Sequence, residues 1–472
     1  MAAPALNTAA LGGIAGKGVR TPSYARQQQP PGVVHLGLGA FHRAHQAMVF
    51  DTLLQDGDAR WGVLGVAMRS AALALTLAAQ DDLYSVQVAG PGGRSWRVVG
   101  SIGKTCVAAQ EPDEVVHALA APATRWITLT VTEKGYAPAL AELLVRGLSL
   151  RHQAGLPGLT LASCDNLSGN GDLLRALCLQ AAASAPLQDW IRTACTFPNS
   201  MVDRIVPAAT QACADEAAQA LGVRDAAALA TEEFWEWILE DALADPTDAA
   251  VLRSAGVQVV GDVAPFEVAK LWMLNGSHSA IAAVGAVLGR ATVSDCISQP
   301  QIAQFIHGLM TRELMPHVTR PEAGAYRDAL LARFANPALQ HKVHQIASDF
   351  SKKIPQRWVP PVTAGLAAGA PVEHLAFAGA AWMRYCLGED ESGLRYTLSD
   401  PLAPSLLAAA QANRGNAEAT VQALMGIEAV WGDALALNTQ WNHRVCHWLR
   451  RIQATGLLGA LAELNRQAGP TG

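Results

Sequence analysis

The segment from residue 33 to residue 54 constrains the fold more than any other part of this sequence. A short apolar run at 33–36 is followed by Gly37 and Gly39, and then by a long amphipathic stretch over 40–54. A continuous apolar run that changes to helical spacing across two glycines predicts a strand, a tight turn and a helix. Such a unit is typical of an α/β domain, in which strands and helices alternate.

The apolar pattern divides the rest of the chain into two halves. Further runs at 62–68 and 126–131 predict strands that alternate with helical segments, which indicates a parallel sheet with crossover helices. From 267 to 289, and through most of 300–465, apolar residues instead recur at helical spacing with few strand-like runs. The first half therefore predicts an α/β domain and the second half a mainly α-helical domain.

The domain boundary is placed where the pattern changes, because Gly261 and Pro265 punctuate the chain there. At 472 residues the chain is also too long for one ordinary domain. We expect an α/β domain over 32–264 and a mainly α-helical domain over 265–472. Residues 1–31, rich in Ala, Gly, Pro and Gln, are typical of an arm that precedes the first core element.

The composition excludes several classes of protein. Half of the residues are hydrophobic and 16% are charged, so the chain can bury a sizeable core and is not intrinsically disordered. A net charge of −5 argues against nucleic-acid and anionic-membrane partners, although a local basic pocket can still serve a negatively charged substrate. Eight cysteines without a CxxC pair, no secretory signal and no long apolar run predict reduced thiols in a cytoplasmic protein. A monomer and a small homo-oligomer both remain open.

The two glycines after the first strand could form part of a dinucleotide site. Gly37 would permit the tight turn, and Gly39 would let the backbone approach a pyrophosphate at the helix N-terminus. The third glycine of the usual pattern is missing, because His42 stands in its place. A glycine pair alone fits a plain structural turn equally well, and the strand–turn–helix context favours the cofactor site.

The end of the second strand carries no acidic residue. An acidic side chain there would hold the ribose hydroxyls of NAD, but the sequence has Met68, Arg69 and Ser70. Arg69 and Ser70 could accept the 2′-phosphate of NADP, or Arg69 could stack on adenine. NAD and NADP therefore both remain open.

The segment 270–278 holds three side chains that suit proton transfer. On an α-helix Asn275 and His278 are rotated by about 140° and about 80° from Lys270, so all three can line one side of a cleft. A lysine is a poor base near neutrality, but desolvation in an apolar cleft lowers its pKa. Asn275 could then polarise a carbonyl or hold a developing alkoxide, and His278 could orient the substrate hydroxyl or the lysine. The competing interpretation is an ordinary helix with Lys270 exposed, Asn275 as a cap and His278 in the core.

Several longer motifs resemble those of the mannitol dehydrogenase family, the polyol-specific long-chain dehydrogenases. They stand in the same order as in the family and span roughly residues 33–403. Besides the lysine segment, they are HLGLGAFHRAHQ at 35–46, TVTEKGY at 130–136, SCDNL at 163–167, FPNSMVDR at 197–204, RFANP at 333–337 and SDPLA at 399–403. The length and order of these motifs favour the catalytic interpretation of Lys270.

The resemblance implies a fold and a chemistry. The fold is an α/β Rossmann-type, dinucleotide-binding N-terminal domain with a mainly α-helical, substrate-binding C-terminal domain and a cleft between them. The chemistry is metal-independent hydride transfer between NAD, with NADP as the alternative, and a secondary alcohol. Lys270 resembles the general acid/base, and His278 resembles the histidine that orients the substrate. Asn166 and Asn275 resemble the two donors that hold the reacting oxygen.

The resemblance also implies contacts to the cofactor and the substrate. The implied cofactor contacts are Gly37, Gly39, Ala40, Phe41, His42, Arg69 and Thr132. Asp203 is a candidate for a polar contact to cofactor or substrate, or else a structural carboxylate paired with Arg204.

The segment 336–357 bears on the substrate. Some family members oxidise neutral polyols such as mannitol or arabinitol, whereas others reduce fructuronate to mannonate and must recognise a carboxylate. The segment resembles the fructuronate version, with Gln345 where the mannitol enzymes tend to carry arginine. Phe350 departs from the glycine usual in both groups, which predicts a reshaped pocket. Lys353 is the candidate for meeting a carboxylate or distal hydroxyls.

Several alternatives remain beside this interpretation. Lys352, Lys353 and Arg357 could be a solvated basic face. The substrate could be mannitol, arabinitol or the tagaturonate/altronate pair instead of fructuronate and mannonate. A non-catalytic cofactor-binding sensor is disfavoured, because a sensor needs no proton-transfer group. Histidine pairs such as His42 and His45 lack a partner cluster at zinc-site spacing, so no metal site is expected.

Overall fold

The computed structural model describes residues 4–26, 30–90, 92–337 and 341–469. The chain forms two compact units, Met1–Ala264 and Pro265–Gly472. Two predicted segments, the arm at 1–31 and the substrate segment at 336–357, lie partly outside the described residues.

The core of the first unit is a parallel sheet of five strands. In chain order the strands found in the described residues are β1 (Val33–Leu36), β2 (Val63–Ala67), β3 (Tyr84–Gly90), β4 (Gly93–Val99), β5 (Ile102–Val107), β6 (Trp126–Leu129), β7 (Thr160–Ser163), β8 (Ser200–Asp203), β9 (Leu229–Glu232), β10 (Glu236–Glu240) and β11 (Gln258–Val260). The main sheet has the order β5-β2-β1-β6-β7. This is the Rossmann order 3-2-1-4-5, so the switch point lies between β1 and β6.

The central strands are short and fully buried. Every residue of β1, β2 and β6 is buried. A parallel sheet with helices on both faces needs such continuous apolar runs, because neither face meets water. The runs at 33–36, 62–68 and 126–131 therefore appear as strands, and the predicted α/β fold class of the first half is confirmed.

Among the residues that the structure describes, helices and two smaller sheets complete the first unit. Its helices are α1 (Leu11–Ala15), α2 (Ala40–Ala44), α3 (Gln46–Gln55), α4 (Ala72–Ala78), α5 (Pro112–Ala120), α6 (Pro138–Gln153), α7 (Asn170–Ala181), α8 (Ala185–Ala194), α9 (Gln211–Leu221) and α10 (Asp248–Ser254). Short 3-10 helices span Thr8–Ala10, Ala59–Trp61 and Glu133–Gly135. The smaller sheets have the orders β11-β10-β8 and β4-β3-β9, and neither is predicted from the sequence.

The described part of the predicted arm packs onto the first unit. Leu6, Ile14 and Val19 are buried against a cluster that includes Leu83 and Val98. Arg20 forms a single β-bridge with Arg97 in strand β4. The arm therefore contributes to the core of this unit.

The second unit is built from helices, which confirms the predicted fold class of this half. Its α-helices are α11 (Ala264–Ala269), α12 (Ser277–Val287), α13 (Val293–Ile297), α14 (Pro300–Gly308), α15 (Ala323–Phe334), α16 (Val343–Ile346), α17 (Phe350–Arg357), α18 (Val359–Ala367), α19 (Glu373–Tyr385), α20 (Ala403–Ala412), α21 (Ala417–Met425), α22 (Glu428–Ala436) and α23 (Thr439–Ala468). Within the described part of this unit, π-helices span Lys270–Gly276 and Leu309–Leu314, and a 3-10 helix spans Met315–His317.

Helix α12 lies in the centre of the second unit. All eleven of its residues are buried, and it packs on α16 and α19. A helix that is apolar all round must be covered on every side. Among the described residues, no helix combines the length and the apolar character needed to cross a membrane.

Candidate active site

The glycine loop lies at the switch point of the main sheet, between β1 and α2. Gly37 has a φ of +110°, and a Cβ atom on it would lie 2.2 Å from the carbonyl oxygen of Thr130. Only glycine fits both constraints. Gly39 has an ordinary φ of −97°, and a Cβ there would meet only the oxygen of Gly37 at 3.7 Å. The backbone at Gly39 is therefore open on its outer side.

Two stacked histidines support this loop from the interior of the first unit. His35 Nε2 lies 2.9 Å from Thr130 Oγ1 and 3.1 Å from the oxygen of Gly37, and its Nδ1 lies 2.8 Å from Thr128 Oγ1. The His42 ring stacks on His35 with the centroids 3.3 Å apart. Burial lowers the pKa of both rings, that of His35 to about 3, so both are neutral at pH 7. The imidazole of His42 is fully buried, so a cofactor contact from this residue has to come from its backbone.

The carboxyl end of β2 carries the basic and hydroxyl side chains that the sequence predicts there. Arg69 and Ser70 are both exposed. Ser70 Oγ accepts a bond from the N–H of Ala72 at 3.3 Å, at the start of α4. Both side chains therefore lie at the edge of the sheet where the adenosine end of a dinucleotide is normally recognised.

A strained turn follows β6 on the other side of the switch point. Thr132 has a φ of +65°, a backbone conformation that residues other than glycine rarely adopt. The Asp165 carboxylate accepts bonds from the N–H groups of Thr132 at 2.7 Å and Val131 at 3.2 Å, and Tyr136 Oη donates to it at 3.2 Å. Burial raises the pKa of Asp165, and these hydrogen bonds oppose that rise. Asn166, the next residue, is exposed at the carboxyl end of β7.

Asp203 is buried at the end of β8. Its neighbour Arg204 donates to the oxygen of Ala44 at 2.6 Å and to the oxygen of Glu232 at 2.8 Å and 3.1 Å. Burial lowers the pKa of Arg204 to about 10. Arg204 therefore links two other segments of the first unit by hydrogen bonds to their backbone carbonyls.

The lysine segment of the second unit is a π-helix and not the α-helix that the sequence predicts. Lys270–Gly276 continues α11 and leads into α12. Hydrogen bonds in a π-helix join residues five apart, so Lys270 and Asn275 lie nearly above one another on one face. The predicted rotation of about 140° between them is wrong, because it assumes 3.6 residues per turn. Both side chains are half-buried, which also contradicts the alternative of an exposed Lys270.

His278 follows the π-helix, on α12, and is buried. Its ring centroid lies 4.5 Å from that of Phe334 and 5.1 Å from that of His341. Burial lowers its pKa well below the usual value, and nearby basic groups lower it further. These groups are, in decreasing order of effect, His341, Arg333, Arg357 and Lys353. At pH 7 the ring is therefore neutral, with one nitrogen able to donate a hydrogen bond and the other able to accept one.

The basic residues of α17 do not form one solvated face. Lys352 is exposed, as that interpretation predicts, and its Nζ lies 3.9 Å from Asp349 Oδ1. Lys353 is half-buried, and its ammonium donates to the oxygen of Ile346 at 2.9 Å. Burial, and then the positive charge of Arg357, lowers the pKa of Lys353 to about 8. Lys353 and Arg357 therefore belong to the partly enclosed surroundings of His278.

The remaining predicted substrate residues differ in burial. Gln345 lies on α16 and is exposed. Phe350 is buried in the core of the second unit, where its ring centroid lies 5.5 Å from Tyr385 and 6.1 Å from Trp358. The larger side chain at this position is therefore accommodated in the core and lies on no open surface.

Some functional candidates are missing from the sequence prediction. Asp165 stands inside the SCDNL motif, beside the predicted Asn166, and could have been found from that adjacency. Arg357 is predicted only as part of a basic face, and Trp358 is not predicted at all. In the described part of the chain, no group of three or more His, Cys, Asp or Glu side chains is placed to hold a metal ion.

Fold and site together define a class of two-domain proteins, with a glycine loop at the switch point of a Rossmann sheet and a lysine on a helix of an α-helical domain. The family profile described as the mannitol dehydrogenase Rossmann domain matches residues 31–249, and the mannitol dehydrogenase C-terminal domain matches residues 262–453. The chain belongs to the mannitol dehydrogenase family. The predicted resemblance is thus confirmed, and the protein is an oxidoreductase that acts on a CH–OH group.

Named relatives align over nearly the whole chain. D-mannonate oxidoreductase of Escherichia coli (strain K12) is 36% identical over 90% of this chain and 93% of its own length. Mannitol 2-dehydrogenase of Pyrenophora tritici-repentis is 33% identical over 94% of this chain and 83% of its own length. The structure of Pseudomonas fluorescens mannitol 2-dehydrogenase, solved as a ternary complex with NAD and D-mannitol, is similar with a TM-score of 0.81. It is 30% identical and covers 98% of this chain and 99% of its own.

Proposed function

We propose that this protein transfers hydride between NAD and a sugar acid, interconverting fructuronate and mannonate. The observation that carries this proposal is the positive charge around His278, where Arg333, Lys353 and Arg357 all lower its pKa. A uronate brings one negative charge to such surroundings, whereas a neutral polyol brings none. The likeness to D-mannonate oxidoreductase supports the same substrate.

The glycine loop fits a dinucleotide. Gly37 makes the turn, and the open outer side of Gly39 leaves room for a pyrophosphate next to the backbone. Ala40 and Phe41 begin the following helix, and Arg69 lies where the adenosine end would be held. NAD, when bound, supplies the group that accepts hydride from the alcohol carbon or returns it to the ketone. We assign NAD because the similar mannitol 2-dehydrogenase structure holds it, and NADP is the alternative that Arg69 leaves open.

The side chains of this chain carry the proton and hold the oxygen. Lys270 Nζ accepts the hydroxyl proton during oxidation and returns it during reduction. The amides of Asn275, on the same face of the π-helix, and of Asn166 donate hydrogen bonds to the oxygen as its charge develops. His278 is neutral, so it can orient the hydroxyl without competing for the proton. Lys353 meets the carboxylate, while Asp203, Gln345 and Thr132 are proposed to line the bound ligands.

Steady-state kinetics on the wild-type protein test the substrate proposal. We expect kcat/KM for fructuronate with NADH to exceed that for fructose by about tenfold to hundredfold, the worth of one hydrogen bond between charged groups. Tagaturonate keeps the carboxylate but differs at one carbinol carbon, so its kcat/KM should lie between the values for fructuronate and fructose. The same series with NADPH identifies the cofactor. A clear preference for fructose would exclude carboxylate recognition.

Two glycine substitutions test the cofactor loop. Gly39→Ala adds a methyl group to an open position, so we expect unchanged thermal stability and at least about tenfold weaker NADH binding. Gly37→Ala forces a side chain into a φ of +110° and against Thr130, so it should lower the melting temperature as well. Fluorescence titration and thermal unfolding measure both quantities. NADH affinity unchanged in Gly39→Ala would show that the cofactor does not approach this backbone.

A further inference from the structure

The π-helix Lys270–Gly276 is held from outside by two consecutive residues. A π-helix is rare and usually occurs as a single wide turn inside α-helices. Here it occupies the seven residues between α11 and α12. A side chain that bonds to the carbonyls of a helix is one of the known causes of a break from α-helical geometry. The contacts of its carbonyl oxygens therefore show what stabilises it.

Arg357 and Trp358 supply these contacts from the junction of α17 and α18. Arg357 Nη1 donates to the carbonyl oxygen of Asn275 at 3.1 Å and to Ser279 Oγ at 2.9 Å. Trp358 Nε1 donates to the carbonyl oxygen of Gly276 at 3.0 Å. The carbonyl oxygens of Asn275 and Gly276, at the end of the π-helix, thus each accept a hydrogen bond from one of two consecutive residues of another segment.

The packing around this junction favours a fixed geometry. The Trp358 side chain is almost fully buried, with 1% exposure. A Cβ atom on Gly276 would lie 3.3 Å from the carbonyl oxygen of Arg357, so a glycine at 276 permits the close approach of the two segments. Because the indole and the guanidinium are both enclosed, the loss of either bond leaves a buried polar group without its partner.

We propose that Arg357 and Trp358 are positioning residues that hold Lys270–Gly276 in its π conformation and so keep Lys270 and Asn275 on one face. In α-helical geometry the two side chains would be rotated by about 140° from each other, so they would be less well placed to reach the same oxygen. This inference rests on the proposed roles of Lys270 and Asn275. It assigns to Arg357 an effect on turnover that does not depend on a substrate carboxylate.

We call the pair Arg357 and Trp358 the clamp of the π-helix. Trp358→Phe, Arg357→Met and the double variant test this clamp. We expect Trp358→Phe to lower kcat about threefold to tenfold and Arg357→Met about tenfold to hundredfold, the worth of one neutral and one charged hydrogen bond. KM for fructose should change little in either single variant, and KM for fructuronate should change little in Trp358→Phe, which removes no charge. The double variant should lose less than the product of the single losses, because both residues hold one element. Arg357→Lys should recover part of the loss, since an ammonium can still donate to one of the two acceptors.

Trp441→Phe is the matched control. Trp441 is fully buried in the same unit, and its indole nitrogen has no hydrogen-bond partner among the described residues, so this variant should keep the wild-type kcat. Amide hydrogen exchange gives a readout that needs no activity. Exchange within 270–276 should be faster in Trp358→Phe and unchanged in Trp441→Phe.

The outcomes separate this inference from the proposed function. Wild-type kcat and wild-type exchange in Trp358→Phe would overturn the clamp, and this variant decides alone if Arg357→Met does not fold. A loss confined to KM for fructuronate in Arg357→Met would make Arg357 a substrate contact instead. Lys270→Ala is measured in parallel, because full turnover there would refute the proposed function, whereas the exchange rates would still decide the clamp.

Discussion

Lys270→Ala is expected to lower kcat by about 10²–10⁴-fold, the usual worth of a positioned proton-transfer group. The alanine variant has no group at this position to take the hydroxyl proton, so the proton must pass to water. NADH affinity should stay at the wild-type value, since the glycine loop lies in the first unit and Lys270 in the second. Single-turnover kinetics and NADH fluorescence titration measure the two quantities.

Lys352→Ala is the control for this experiment. Lys352 is an exposed lysine of the same unit, so its loss removes one positive charge without touching the enclosed groups. We expect wild-type kcat in this variant and wild-type melting temperatures in both. Turnover by Lys270→Ala at the wild-type rate would remove Lys270 from the reaction.

Lys353→Met is expected to lower kcat/KM for fructuronate by about tenfold to hundredfold, while kcat/KM for fructose changes little. Methionine keeps most of the length and apolar character of the lysine stem and removes the charge that would meet the carboxylate. Equal losses on both substrates would show that Lys353 acts on the sugar hydroxyls or on the fold.

The pH dependence of the wild-type protein gives a second test of Lys353. Its pKa is lowered to about 8, so the ammonium is charged below that pH and loses its charge as the pH rises through it. The ratio of kcat/KM for fructuronate to that for fructose should therefore fall above about pH 8. The ratio cancels the pH dependence of the proton-transfer step, which both substrates share. Lys353→Arg should remove this fall, because a guanidinium stays charged.

The sequence predicts the elements of the fold that depend on local apolar pattern. Strands β1, β2 and β6 are continuous apolar runs because both of their faces are covered. Strands β8 and β9 are four residues each, with the sequences SMVD and LATE, and their pairing partners lie far away in the chain. Such strands depend on tertiary pairing more than on local preference, so the two smaller sheets are not predicted.

In the candidate site, too, local sequence pattern predicts some features, and others depend on tertiary packing. Lys270, Asn275 and His278 can be selected as candidates from their motif, but their relative geometry cannot be predicted, because apolar spacing does not distinguish an α-helix from a π-helix over seven residues. The partners of the π-helix, Arg357 and Trp358, are about 80 residues away in sequence. Their contacts depend on the packing of the second unit, which no local pattern describes.

Chemical rescue of Lys270→Ala by added primary amines tests most directly whether the amine of Lys270 transfers the proton. If it does, small amines should restore turnover in proportion to their concentration, and more basic amines should accelerate oxidation more at equal free-base concentration, as Brønsted behaviour requires. Restored turnover that depends on amine basicity is the predicted result. A deficient variant whose rate no amine changes, while cofactor binding and folding are intact, would contradict it.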